Sequence, residues 1–175
     1  VQRRMYPDLK AARSQHPNIR LVFAGNGDLE GELRERVRIS DLEKQTVWLG
    51  AISQDHVADW LSASDIMVVP SVKDDSGNID GLPNVLLEGL ASTTPVITTP
   101  TGGISSVARD GKNALVVPEK DSTRIAEAIS LLLKDPSLGA TLGQNAREHV
   151  RLHHSWTNVA KRFETSYQQA ALDIS

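Results

Sequence analysis

The chain has 175 residues, a formal net charge of -3, 39% apolar residues and no cysteine. That length suffices for one well-packed domain. The lack of cysteine excludes disulfides and thiolate metal sites, and the mildly acidic balance, with a pI near 5.9 and a mean hydropathy of -0.27, gives no electrostatic footing for nucleic acid.

Taken in order, Val1 to Met5 has no apolar stretch behind it and does not read as a signal peptide. The abrupt start reads as that of a fragment. Asp8 to Gln15 is expected to form a short helix that ends at His16-Pro17, because proline disfavours helix at the residue before it. Ile19 to Phe23 is expected as a strand buried on both faces, and Gly25-Asn26-Gly27 as the tight turn after it. Asp28 is expected to cap a helix from Leu29 to about Ile39, with Leu29, Leu33 and Val37 facing in. Val47-Trp48-Leu49 reads as a strand, Ser53 as the cap of a helix bearing Val57, Trp60 and Leu61, and Asp65 to Val69 as another buried strand. A polar loop from Val72 to Asp80 follows, carrying Asp74 and Asp75.

Beyond it, a short apolar helix begins at Pro83 and a strand runs from Pro95 to Thr98. Ile104 to Ala108 reads as a short helix and Ala114 to Val117 as a strand. Asp121 caps a helix with Ile125, Ala128, Ile129, Leu132 and Leu133 on one face. Asp135-Pro136 opens a helix to about His149, and Ser155 caps a last one whose Trp156, Val159, Phe163 and Tyr167 are spaced as a buried stripe. Strands alternating with helices predict a Rossmann-like three-layer α/β/α domain with a mostly parallel sheet. In such sheets a ligand lies at the carboxyl ends of the strands. No run of apolar residues reaches membrane-spanning length.

Candidate chemistry concentrates between positions 80 and 88. Val85, Leu86, Leu87, Leu90 and Ala91 make the helix largely apolar, yet Glu88 sits among them. A carboxylate there needs a partner or a ligand. Capping a backbone N–H or pairing with a buried arginine would serve as well as function. Asn84 shares its helical face, and the free N–H groups of the first turn form an anion site. Asp80 precedes Gly81, and Asp-Gly is also a common turn pair. Carboxylates accept from sugar hydroxyls and helix N–H groups hold phosphate, so the segment suits a nucleotide sugar.

The run Asp80-Gly81-Leu82-Pro83-Asn84-Val85-Leu86-Leu87-Glu88 resembles the paired acidic motif of retaining glycosyltransferases of family 4 (group 1), which have the GT-B fold. Val69-Pro70-Ser71, Thr94 to Ile97, the Thr99 to Gly103 loop, Asp110 to Val117 and Ala24 to Gly27 resemble the family's flanking segments. The resemblance covers nearly the whole chain and corresponds to the C-terminal, donor-binding half of such an enzyme. It implies one nucleotide-sugar-binding domain over residues 1–175, with C-terminal helices over about 121–172 and the acceptor-binding N-terminal domain absent. It implies Asp80 and Glu88 as catalytic residues, with Glu88 on the donor ribose and Asp80 on the transferred sugar. Gly25, Gly27, Gly81, Leu82, Asn84 and Glu88 would bind the donor. It implies a UDP- or GDP-linked sugar as substrate, no cofactor and no metal. The expected partners are that donor and the missing domain, not nucleic acid. A cytoplasmic location is expected, with any membrane contact made through the absent domain, and the loop before Asp80 resembles those of enzymes that build bacterial surface polysaccharides.

The sequence departs from the family at Thr93, where glycine is usual, at Gly89, where alanine is usual, and at Ser106, where glutamate is frequent. The family's diphosphate-binding arginine and lysine have no counterpart that follows a recognisable strand. Two other readings stay open: a binding-only nucleotide module and a GT-B nucleotide-sugar epimerase. A dinucleotide site is disfavoured because the third glycine of its fingerprint would fall on Glu30. His149, His153 and His154 read as a solvated helix end rather than a metal site, and Lys73 and Lys112 as loop lysines within possible reach of phosphate.

Overall fold

Short apolar runs that alternate with amphipathic stretches fold here into parallel strands, each followed by an α-helix except β4, which is followed by a 3-10 segment. The computed structural model describes residues 17–73, 77–79 and 81–172. The strands are β1 (Leu21–Ala24), β2 (Thr46–Gly50), β3 (Met67–Val69), β4 (Val96–Thr98) and β5 (Leu115–Val116). The helices are α1 (Glu30–Ile39), α2 (Gln54–Ala63), α3 (Asn84–Ala91), α4 (Ser122–Lys134), α5 (Pro136–His153) and α6 (Trp156–Leu172). β1 pairs with β2, and β3-β4-β5 form a second set; every pairing is parallel. The architecture is the expected Rossmann-like α/β arrangement. The helix expected over Asp8 to Gln15 lies outside the described residues, as do Asp74, Asp75 and Asp80.

Adjacent residues of β4 show why the layers form. Side chains alternate along a strand, so Ile97 enters one core with Val37, Ile125, Ile129 and Leu142, while Val96 enters another with Leu86, Leu90, Ile104 and Ala146. Leu86, Leu90, Val96 and Ile97 are fully buried. Each such side chain contributes about 1.5–3 kcal/mol relative to leaving it in water. β1 and β2 share the first core through Leu21, Phe23 and Trp48. Phe23 stacks on Trp48, and the Arg34 guanidinium lies 4.4 Å from the Trp48 ring centroid.

Helix starts follow the side chains available. Asp121 accepts from the Arg124 N–H and Asp135 from the Leu138 N–H, both at 3.0 Å. Ser53 and Ser155 cap their helices as expected. Asp28 does not. Leu29 occupies the cap position of α1 without a side-chain cap, and it is exposed rather than turned inward. The helix is set instead by charge, with Glu30 and Glu32 in its first turn and Arg36 and Arg38 in its last, which suits the helix dipole.

Several expectations are corrected. The helix expected over Ile104 to Ala108 is a 3-10 turn over Gly102–Ser106. α5 continues to His153, four residues past the expected end. Val85 and Ala91 are exposed, so α3 buries one face only. The largest correction concerns α6. Trp156, Phe163 and Tyr167 are 89%, 59% and 72% exposed, not a buried stripe. Hydrogen bonds from Asn158 and Arg162 tie the first turns of α6 to the end of α5, but they leave the aromatic face uncovered. Spacing defines an apolar face and cannot say what packs on it.

Thr93 sits at φ 66, where glycine was expected. The left-handed conformation costs a residue with a Cβ roughly 1–2 kcal/mol. The surroundings hold it there: Gly143 of α5 passes so close that a Cβ on it would stand 1.9 Å from the Thr93 carbonyl oxygen.

Candidate functional site

At the carboxyl ends of β3 and β4 the outgoing segments are sewn together. The Thr98 hydroxyl donates to the Val69 carbonyl at 2.9 Å. The buried Thr99 and Thr101 hydroxyls both donate to the Ser71 carbonyl, Thr101 at 3.0 Å. Gly103 N–H donates to the Gly81 carbonyl at 2.6 Å. A Cβ on Gly103 would meet Gly81 O at 3.1 Å and Leu82 Cβ at 3.2 Å, so the missing side chain is what lets these loops touch. From the end of β5, Glu119 accepts the Lys73 N–H at 2.8 Å.

α3 starts at this edge. Pro83 is its cap rather than its first helical residue, and it supplies no side-chain cap. Leu86 N–H is already satisfied by the Pro83 carbonyl at 3.0 Å. The Asn84 and Val85 amides, first and second in the helix, have no backbone acceptor among the described residues. They stand where a helix start leaves its donors without intrahelical partners, at the positive end of its dipole.

Glu88 stands one turn further on and is half-buried. Neither structural alternative for it is realised: among the described residues no N–H caps its carboxylate and no arginine pairs with it. Leu82 is half-buried against the core that holds Leu86 and Leu90. Gly81 and Asn84 are exposed, and a Cβ on Gly81 would meet nothing within 4 Å.

Gly25, Asn26 and Gly27 form a second group at the ends of β1 and β2. Gly25, at φ 110, donates its N–H to the Gly50 carbonyl at 2.7 Å. That φ is one an L side chain rarely adopts. Space is open around Gly25 and Gly27 also. The hydrogen bonds join Gly25 to Gly50 and Gly81 to Gly103; none among the described residues runs from one pair to the other.

Other candidates fall elsewhere. Lys112 lies before β5, at the amino end of the strand, where its carbonyl accepts from Asn145 of α5 at 2.9 Å. It is away from the strand ends that carry the site. The three histidines are not simply a solvated helix end. His149 packs on His153 and His154, with ring centroids 4.7 and 5.6 Å away, and its Nε2 is buried without a partner among the described residues. Burial, then His153, Arg109 and His154, push its pKa below the usual histidine value. Among the described residues no group of histidine, aspartate or glutamate side chains could hold a metal ion. The sequence marks the loop that holds Thr99 and Thr101 but not their partner, and gives no sign of Glu119; nothing in their spacing reveals partners 28 to 46 residues away.

In parallel α/β sheets ligands lie at the carboxyl ends of the strands, and the start of α3, with Glu88 one turn on, stands at that edge. The comparisons narrow the class. The model of the family "Glycosyl transferases group 1" matches residues 4–149, and the chain belongs to that family. It is 31% identical over 154 residues to N-acetyl-alpha-D-glucosaminyl L-malate synthase of Bacillus anthracis, covering 88% of this chain and 38% of that protein. Sucrose-phosphate synthase of Thermosynechococcus elongatus superposes with a TM-score of 0.79 at 27% identity, over 99% of this chain and 44% of its own. HepE of Anabaena, solved in complex with UDP-glucose, superposes with a TM-score of 0.80 at 17% identity, over 97% of this chain and 46% of its own. The chain thus spans less than half the length of each of these three proteins, from 38% to 46%.

Proposed function

We propose that this chain is the donor-binding half of a glycosyltransferase that moves a sugar from a nucleoside diphosphate sugar to an acceptor, with retention of anomeric configuration. Glu88 carries the reading. It is a half-buried carboxylate without a described partner, one turn inside a helix whose first two amides have no backbone acceptor among the described residues. Its carboxylate would accept from the ribose hydroxyls, and the Asn84 and Val85 amides would face the diphosphate. The UDP-glucose bound by HepE, a neighbour in fold, supports that class of ligand.

The chemistry asks for negative charge to be stabilised on the departing diphosphate. Oriented N–H groups and a helix dipole do this without reorganising as the charge develops. Glu88 and Asp80 would fix the donor in place, and positioning is itself a large part of such catalysis. The same proposal assigns Gly25, Gly27, Gly81 and Leu82 to the donor, the acceptor to a domain outside this chain, and the whole protein to surface polysaccharide synthesis in the cytoplasm. It adds that the chain forms one domain, inactive by itself.

The test is a titration of this chain with UDP, GDP and ADP, followed by NMR chemical shifts. Saturable shifts over Gly81 to Glu88, lost in Glu88→Ala, are expected for one base. Binding that survives in Glu88→Ala with the same shifts refutes the role of Glu88.

A further inference from the structure

Two short backbone segments flank the loop between β3 and α3, and groups from distant parts of the chain hold both. On the α3 side, Gly103 N–H holds the Gly81 carbonyl at 2.6 Å. On the β3 side, Thr99 and Thr101 hold the Ser71 carbonyl, and Glu119 holds the Lys73 N–H at 2.8 Å. The threonines and the glycine belong to one segment, residues 99–103, which follows β4. Glu119 is the exception: it comes from the far side of β5, 46 residues from Lys73 in the chain.

A carboxylate is a costly group to place here. The same sheet edge carries the first amides of α3, and a negative charge nearby opposes an anionic ligand. An N–H acceptor alone could have been a neutral side chain or a carbonyl. A carboxylate gives a stronger, charge-assisted bond to a backbone amide, so it holds that amide more firmly. Firm placement of a loop before the ligand arrives lowers the ordering cost of binding.

We propose that Glu119 is a positioning residue for the donor site: it fixes Val72 and Lys73, as Gly103 fixes Gly81, so that both sides of the loop are set in advance. The proposal rests on the donor-binding reading above. Its test uses this chain and the variants Glu119→Ala and Glu119→Gln, with two readouts. Amide hydrogen exchange at Lys73 needs no ligand and is expected to quicken at least tenfold in Glu119→Ala, while Leu86 and Ile129 keep their protection. The dissociation constant for the nucleoside diphosphate that wild type binds is expected to rise about tenfold, the equivalent of one lost charge-assisted hydrogen bond. Glutamine keeps a neutral carbonyl acceptor but not the charge, and is expected to restore only part of both. Unchanged exchange at Lys73 in Glu119→Ala overturns the proposal, and so does unchanged affinity when exchange has quickened. If wild type binds none of UDP, GDP or ADP, the donor reading fails together with the donor part of this proposal. The exchange data still decide whether Glu119 holds the loop.

Discussion

Gly143→Ala puts the packing of α5 on the Thr93 turn to its hardest test. The new Cβ would lie 1.9 Å from the Thr93 carbonyl oxygen, 2.8 Å from its carbon and 3.3 Å from its Cα. A carbon and a carbonyl oxygen rest at about 3.3–3.6 Å, so helix and turn must separate by roughly 1.4 Å. Both partners are backbone, and no rotamer change relieves the overlap. α5 cannot retreat freely either, because Leu142 and Ala146 on the same helix are buried in the two cores. Overpacking in a filled core costs typically 1–3 kcal/mol, and this case belongs at the upper end, about 3 kcal/mol. For a chain of this size that lowers Tm by roughly 6–12 °C. Gly89→Ala is the matched control. There the Cβ would meet Met67 Sδ at 2.2 Å, but this is a side-chain atom that can swing away. Alanine gains about 1 kcal/mol of helix propensity over glycine at either position, so the difference between the variants reports the clash. Its stability is expected within about 1 kcal/mol of wild type. Urea denaturation followed by circular dichroism measures both. If Gly143→Ala unfolds within 1 kcal/mol of wild type, or Gly89→Ala proves the worse of the two, the close approach of α5 to Thr93 is refuted.

Two further outcomes are expected. His149 and His154 have depressed pKa values, chiefly from burial, so the fold favours their neutral forms. Their contribution to stability is present above the ordinary histidine range and is lost as pH falls through it, because the unfolded chain takes up protons first. Thermal melts at pH 8 and pH 5.5 should show the loss, and His149→Gln should shrink it; an equal or larger loss in the variant would contradict the assignment. Replacing Trp156 or Phe163 by serine should change the stability of this chain by no more than about 0.5 kcal/mol, since both are exposed; a loss above about 2 kcal/mol in denaturant titration would mean that the aromatic face is covered after all.

Much of the fold was legible along the chain because strands and helices are written in local periods. Leu21-Val22-Phe23, Asp65 to Val69 and Pro95 to Thr98 are apolar runs bounded by turn residues, and each holds a strand. Ser53, Asp121, Asp135 and Ser155 are caps whose hydrogen bonds span only three residues. Asp28 failed as a cap because one residue of slip at a helix start moves the cap to Leu29. The placement of Glu88 at the carboxyl edge followed from the order of elements alone, since a parallel strand delivers its outgoing loop to that edge.

The sequence by itself determined the alternation of strand and helix, the family, and the helix on which Glu88 stands. These rest on contacts within a few residues, and local spacing encodes them. Only the tertiary structure decided that Glu88 has no described partner, that Glu119 holds Lys73, that Gly143 presses on Thr93 and that the face of α6 stays open. Each is a meeting, or a failure to meet, between segments distant along the chain. Side-chain periodicity fixes which way a residue faces relative to its own helix or strand; what it faces depends on how the elements pack.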